Sequence, residues 1–107
     1  MMRDYEMILE IRPGEGGMIP PDVREKIAEA LNPLTDGGIA EKNFSGEDGS
    51  LEYQFSHQIG GGDPVEDYAA ELAAAVRSIP GCEKESGIEM QLGYCQPVYE
   101  YDWIEDL

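Results

Sequence analysis

Two stretches of the chain alternate between apolar and polar residues. The first covers residues 5–11, and its apolar side consists of Tyr5, Met7, Leu9 and Ile11. The second covers residues 51–59, and one of its sides consists of Leu51, Tyr53, Phe55, His57 and Ile59. A period of two residues is typical of a strand with one buried and one solvated face. Both stretches are therefore predicted to be half-buried strands.

The segment "PDVREKIAEAL", residues 21–31, has the spacing of an amphipathic helix. Its apolar stripe comprises Val23, Ile27, Ala30 and Leu31. Asp22 is predicted to cap the helix, with Glu25 completing a capping box. Pro33 is predicted to end it.

A second helix is predicted within "DPVEDYAAELAAAVRSI", residues 63–79. Asp63 is expected to be the cap, Pro64 the first helical residue and Glu66 the capping-box acid. The predicted buried stripe comprises Val65, Ala69, Leu72, Ala73 and Val76. Pro80 and Gly81 stop the helix.

Shorter segments complete the predicted order of elements. Residues 39–44 and about 87–95 are predicted strands, and an extended segment continues after Pro97. The order strand, helix, strand, strand, helix, strand predicts an α+β fold of the ferredoxin-like βαββαβ type. In this arrangement two helices cover one face of a four-stranded antiparallel sheet. Residues 1–107 are predicted to form one domain, with residues 94–107 as an extended aromatic and acidic segment.

The glycine-rich loop "RPGEGG", residues 12–17, raises the question of phosphate binding. A phosphate loop usually carries a lysine and leads directly into a helix, and this loop does neither. The run "LEIRPGEGG" is similar to one in bacterial peptide-chain release factors, where a strand enters a glycine turn before a helix. The hydrolytic Gly-Gly-Gln of that family is absent from the chain. We interpret the loop as a turn.

The charge of the chain is strongly negative. Twenty-three acidic and seven basic residues give a formal net charge of −16. Such a charge repels nucleic acid and anionic membranes and attracts basic proteins. The alternative interpretation is that the charge serves solubility or a salt-rich habitat.

The compartment is predicted to be the cytoplasm. Acids interrupt the apolar N-terminal segment, unlike a secretory signal, and no apolar run has the length of a membrane span. Cys82 and Cys95 are expected to be reduced structural thiols, and a disulfide between them is the alternative interpretation.

Enzymatic chemistry is not favoured by the residue pattern. One histidine and two separated cysteines give no metal-ligand spacing, so no metal or cofactor is predicted. His57 shares the apolar side of its strand and is predicted to be structural. The abundance of acids makes any single carboxylate pair uninformative.

The predicted partner-binding residues fall into two groups. The sheet face away from the helices would carry Glu6, Glu10, Glu52 and Glu89, together with Gln54 and Gln91. The C-terminal segment would add contact area and charge through Tyr99, Glu100, Tyr101, Asp102 and Trp103. The competing interpretation is an ordinary solvated face, with the aromatic rings covering the protein's own core.

These features predict a small acidic inhibitor that occupies the basic, nucleic-acid-binding surface of a target protein, as a DNA mimic does. In size and charge the chain is similar to the anti-CRISPR and anti-restriction proteins of phages. Three alternatives stay open: an immunity protein that neutralises a cognate toxin, a self-assembling structural module, and a small enzyme with a pocket around His57.

Overall fold

An antiparallel sheet of five strands forms the centre of the computed structural model. The structure describes residues 2–14, 17–35, 40–45, 49–96, 100–105 and 107. The strands are β1 (Met2–Arg12), β2 (Ala40–Ser45), β3 (Ser50–Gly60), β4 (Glu89–Cys95) and β5 (Asp102–Ile104). Their order across the sheet is β2-β3-β1-β4-β5. β1 therefore lies at the centre and pairs with both β3 and β4.

Two α-helices complete the architecture: α1 (Pro21–Leu31) and α2 (Val65–Arg77). A short 3₁₀ helix, Asn32–Leu34, follows α1, and another, Lys84–Ser86, precedes β4. The predicted α+β fold with an antiparallel sheet and two helices is confirmed. The bounds predicted for α1 agree with the structure because its apolar period and the flanking prolines are local signals.

The core lies between the two helices and one face of the sheet. The register places Leu9 directly opposite both Tyr53 of β3 and Leu92 of β4, and all three are fully buried. The helices contribute further buried side chains to the same cluster: Ile27, Leu31, Val65, Ala69, Leu72, Ala73 and Val76. The predicted stripe of α2 is therefore confirmed. In α1, Val23 and Ala30 are half-buried at the margin of the core.

The predicted helix caps are wrong. Pro20 is the N-cap of α1 and Pro64 that of α2, and neither helix has a side-chain cap. Both prolines are extended, with φ/ψ of −60°/149° and −75°/142°. The proline ring already holds φ near the value that an N-cap needs. Asp22 consequently falls inside the first turn, and Asp63 lies before the cap.

The predicted number of strands is also wrong, because the sheet has a fifth. β5 pairs with β4 through Leu92 and Ile104, Gly93 and Trp103, and Tyr94 and Asp102. Three residues are too few for a periodic pattern, so the sequence indicated only an extended segment. β5 forms because the free edge of β4 offers it main-chain hydrogen bonds. Residues 97–99, which precede it, lie outside the described residues.

The glycine loop after β1 packs against the turn before β4. A Cβ on Gly14 would collide with the main-chain oxygen of Ser86, so the close approach requires a glycine. Cys82 and Cys95 are both buried and free. In the part of the chain that the structure describes, no helix has the length and apolar character needed to cross a membrane.

Candidate protein-binding face

The sheet surface opposite the helices is called the open face here. The strand register assigns residues to it, because alternate residues of a strand point to opposite sides. On β1 these residues are Asp4, Glu6, Ile8, Glu10 and Arg12. On β3 they include Glu52, Gln54, Ser56 and Gln58, on β4 Glu89, Gln91, Gly93 and Cys95, and on β5 Trp103.

The four acids predicted on β1, β3 and β4 all lie on the open face. Glu6 and Glu89 are exposed, whereas Glu10 and Glu52 are half-buried. Glu10 lies directly opposite Glu52. Like charges opposite one another destabilise a sheet, so this pair costs stability unless it is compensated.

Glu10 is partly compensated by its neighbours. The side-chain amide of Gln91 on β4 donates a hydrogen bond to the Glu10 carboxylate. The guanidinium of Arg12 lies 3.7 Å from the same carboxylate oxygen. Among the residues of β1, β3, β4 and β5, Arg12 is the one basic residue whose register position lies on the open face. Glu10 is thus held within the sheet, and Glu6 is the more accessible acid.

Trp103 lies over Gly93. A Cβ built on Gly93 would come within 2.8 Å of the Cη2 and Cζ3 atoms of the indole. The indole therefore occupies the space that a side chain at position 93 would fill. Trp103 is 44% exposed, and the only other exposed large apolar side chain among the described residues is Met18. Trp103 extends the open face and does not cover the core.

Tyr101 lies beside Trp103 on the same side of the sheet. The ring centroids are 6.2 Å apart and the ring planes are inclined by 35°. The pKa of Tyr101 is raised, first by burial, then by its hydrogen bond to Cys95 and its electrostatic interaction with that residue, and further by the charges of Glu6 and Glu52. The hydrogen bond to Cys95, whose strand position belongs to the open face, puts the Tyr101 hydroxyl on this side of the sheet.

Asp102 does not join this group. It pairs with Tyr94, whose strand position faces the helix side of the sheet. Burial raises the pKa of Tyr94, and the charges of Asp102 and Glu66 raise it further. Glu100 lines the same shallow depression as Asp102, beside Tyr5 and Tyr94. Because alternate residues of β5 face opposite sides of the sheet, Asp102 and Trp103 lie on opposite faces. Tyr99 lies outside the described residues.

A short apolar row lies between the acids of the open face and ends at β1, because the partner of Ile8 on β3 is the polar residue Gln54. Trp103, Gly93 and Ile8 are consecutive partners across β5, β4 and β1. Glu6 and Glu10 lie on either side of Ile8 along β1. The sequence interpretation missed the parts played by Gly93 and Ile8. A glycine inside a strand is nevertheless a known sign of close approach by another group.

His57 occupies the helix side of β3, as predicted. Its ring stacks on that of Tyr68 from α2, with centroids 3.9 Å apart and planes within 5°. Stacking of this kind is a structural contact that fixes α2 against the sheet. Among the described residues, no three histidine, cysteine or acidic side chains are grouped as metal ligands would be.

Comparison with known proteins assigns no relative to the chain: no protein-family model matches it, and no curated protein matches it significantly.

Proposed function

We propose that this protein binds a basic protein through its open face and blocks the surface with which that partner binds nucleic acid. The observation that carries the proposal is the register, which brings Glu6, Glu10, Glu52 and Glu89 together with Trp103 on a sheet face that no helix covers. The partner is defined by its chemistry: a positively charged surface that otherwise holds phosphates.

Charge supports this choice of partner. The net charge of −16 attracts basic surfaces over long distances and accelerates encounter with them. The opposed carboxylates of Glu10 and Glu52 lower the stability of the sheet, and a cationic partner would relieve their repulsion. A face that served only as a solvated surface would not need them opposite each other.

The spacing of the acids supports competition with nucleic acid. Outward-facing residues on one strand, such as Asp4 and Glu6, are separated by about 6.6–6.8 Å. Along the helix axis this corresponds to about two base steps of a DNA strand, at roughly 3.4 Å each. Carboxylates at this spacing can meet basic side chains that would otherwise contact phosphates.

Trp103 supports a specific contact rather than attraction by charge alone. Exposed tryptophan is enriched among the residues that dominate binding energy at protein interfaces. Here Trp103 is 44% exposed and lies in line with Gly93 and Ile8, and Glu6 and Glu10 flank Ile8 along β1. The acids would steer the partner, and the indole would supply apolar contact area.

We further propose that β1 to β4 and the two helices form a ferredoxin-like unit to which β5 is added. The pairing of β1 with both β3 and β4, and of β2 with β3, supports this assignment. The free, buried thiols of Cys82 and Cys95 are in keeping with a reducing compartment, and we propose the cytoplasm.

Self-assembly through the outer edge of β2 is less well supported. The register of β2 against β3 shifts between Glu41 and Asn43. An irregularity of this kind disfavours pairing of an edge strand with another chain. An immunity protein would use the open face as well, but for one cognate enzyme and without competition from DNA in general.

The experiment compares two variants of equal net charge. In the open-face variant Glu6, Glu10, Glu52 and Glu89 are replaced by Gln. In the control variant the same replacement is made at four exposed acids on the helix side or in loops, Glu25, Glu29, Glu71 and Glu85. Each tagged protein is incubated at low salt with lysate of its own host. Retained proteins are eluted first with duplex DNA and then with high salt, and both eluates are analysed by mass spectrometry.

The retained protein is then purified and tested for displacement from DNA in a band-shift titration. We expect the wild type and the control variant to retain the same basic protein and to displace it from DNA, and the open-face variant to do neither. Equal retention by both variants would contradict the proposed face. Retention that DNA cannot reverse would contradict competition with nucleic acid.

A further inference from the structure

We propose that the open face selects arginine over lysine in its partner, by stacking a guanidinium on the exposed side of the Trp103 indole. This inference rests on the proposed function, since it specifies the chemistry of the basic surface that the open face binds.

The placement of the indole is the first step of the argument. The six-membered ring of the indole occupies the space that a Cβ at Gly93 would fill, and 44% of the residue's surface stays exposed. The ring is thus supported by the sheet at Gly93, and part of its surface is accessible to solvent. A cation over the face of tryptophan is attracted by the ring's quadrupole, more strongly than over tyrosine or phenylalanine.

The residues beside the indole are the second step. Ile8 on β1 is the partner of Gly93 and is half-buried, so the apolar surface extends from the ring as far as β1, where Gln54 of β3 follows. Glu6 and Glu10 are the neighbours of Ile8 on this face. A side chain that crosses the apolar row therefore meets carboxylates on both sides.

The third step is the difference between the two basic side chains. A guanidinium is planar, so it stacks on an aromatic ring and donates hydrogen bonds to carboxylates in its own plane at the same time. An ammonium is compact and strongly hydrated, and it loses more hydration when it contacts the ring. The combination of aromatic surface, apolar row and flanking carboxylates fits arginine.

Tyr101 adds a second aromatic ring to this surface. Its centroid lies 6.2 Å from that of Trp103, and its plane is tilted by 35°. A guanidinium over the indole would therefore have a second ring at its side.

The test uses two synthetic peptides with equal charge and spacing, one with six arginines and one with six lysines, each separated by Gly-Ser. Affinities are measured by calorimetry at low salt for the wild type, Trp103→Leu and Trp103→Phe. We expect the arginine peptide to bind the wild type about three to ten times more tightly, which is the range of one cation–π contact. The ratio should fall to about one in Trp103→Leu and lie between the two in Trp103→Phe.

Three outcomes separate this inference from the proposed function. Equal affinity of both peptides for the wild type would overturn the selection of arginine and leave binding by the acidic face intact. A ratio unchanged in Trp103→Leu, with a circular dichroism spectrum like that of the wild type, would overturn the role of the indole. Failure of both peptides to bind, or equal binding to the open-face and control variants, would contradict the proposed function itself.

Discussion

The indole of Trp103 and the backbone of Gly93 occupy adjoining positions in paired strands, so that the ring fills the place of the missing side chain. Any Cβ at position 93 would lie 2.8 Å from two ring carbons. Real Cβ atoms do not approach carbon this closely, because packed side chains keep van der Waals separation. The exposed aromatic surface therefore depends on two residues, one on each of β4 and β5.

Replacement of Gly93 by alanine should displace the indole. The described glycines with a positive φ do not include Gly93. Alanine can therefore adopt the backbone conformation at this position, and the substitution acts through the contact of its Cβ with the ring. Trp103 is the single tryptophan of the chain, and its fluorescence reports the change directly. We expect emission at longer wavelength and easier quenching by acrylamide. Ser56→Ala, on the same face, is the control and should leave the emission spectrum unchanged. An unaltered spectrum in Gly93→Ala would argue against the contact between Trp103 and Gly93.

Two neighbours on β1 should differ sharply in their contribution to stability. Leu9 is fully buried between Tyr53 and Leu92, whereas Ile8 lies half-buried on the open face. Leu9→Ala should lower the free energy of unfolding by about 2–5 kcal/mol, since it removes buried methyl groups and leaves a cavity. Ile8→Ala should cost less than half as much. Urea denaturation measures both, and equal losses would mean that the assignment of the two faces is wrong.

Stability should decline at alkaline pH, and Cys82 should contribute to the decline. Burial raises the pKa of this thiol, Glu83 raises it further and Arg77 opposes the rise. A folded-state pKa above the unfolded one means that the folded protein holds its proton more tightly. The resulting stability is complete below the unfolded pKa of about 8.5 and is lost as the pH rises through the folded pKa.

This dependence is measured by urea denaturation between pH 7 and pH 11 under reducing conditions. We expect Cys82→Ala to show a smaller loss of stability than the wild type between pH 8.5 and pH 10. Tyr94 and Tyr101 also have raised pKa values, so part of the decline above pH 10 should persist in this variant. Parallel profiles for the two proteins over the lower range would contradict a contribution from the thiol.

Local patterns in the sequence were sufficient to predict the helices and the outward-facing acids. The apolar period of α1 and the prolines that bound it mark its extent, because both act within a few residues. Alternation along β1 and β3 places Glu6 and Glu52 on the side away from the core for the same reason. The caps were not predictable in this way, because Asp22 and Asp63 competed with prolines that satisfy the same backbone geometry.

What the sequence determined by itself is therefore local: the strand and helix periods, the excess of acid, and the side of each long strand on which a residue lies. Tertiary structure alone decided how those strands meet. The pairing of β5 with β4 put Trp103 over Gly93 and sent Asp102 to the opposite side, although the two residues are adjacent in sequence. The physical reason is that β5 takes its hydrogen bonds from β4, and the register of this pairing decides which face each residue occupies, since a shift of one residue would exchange the two faces.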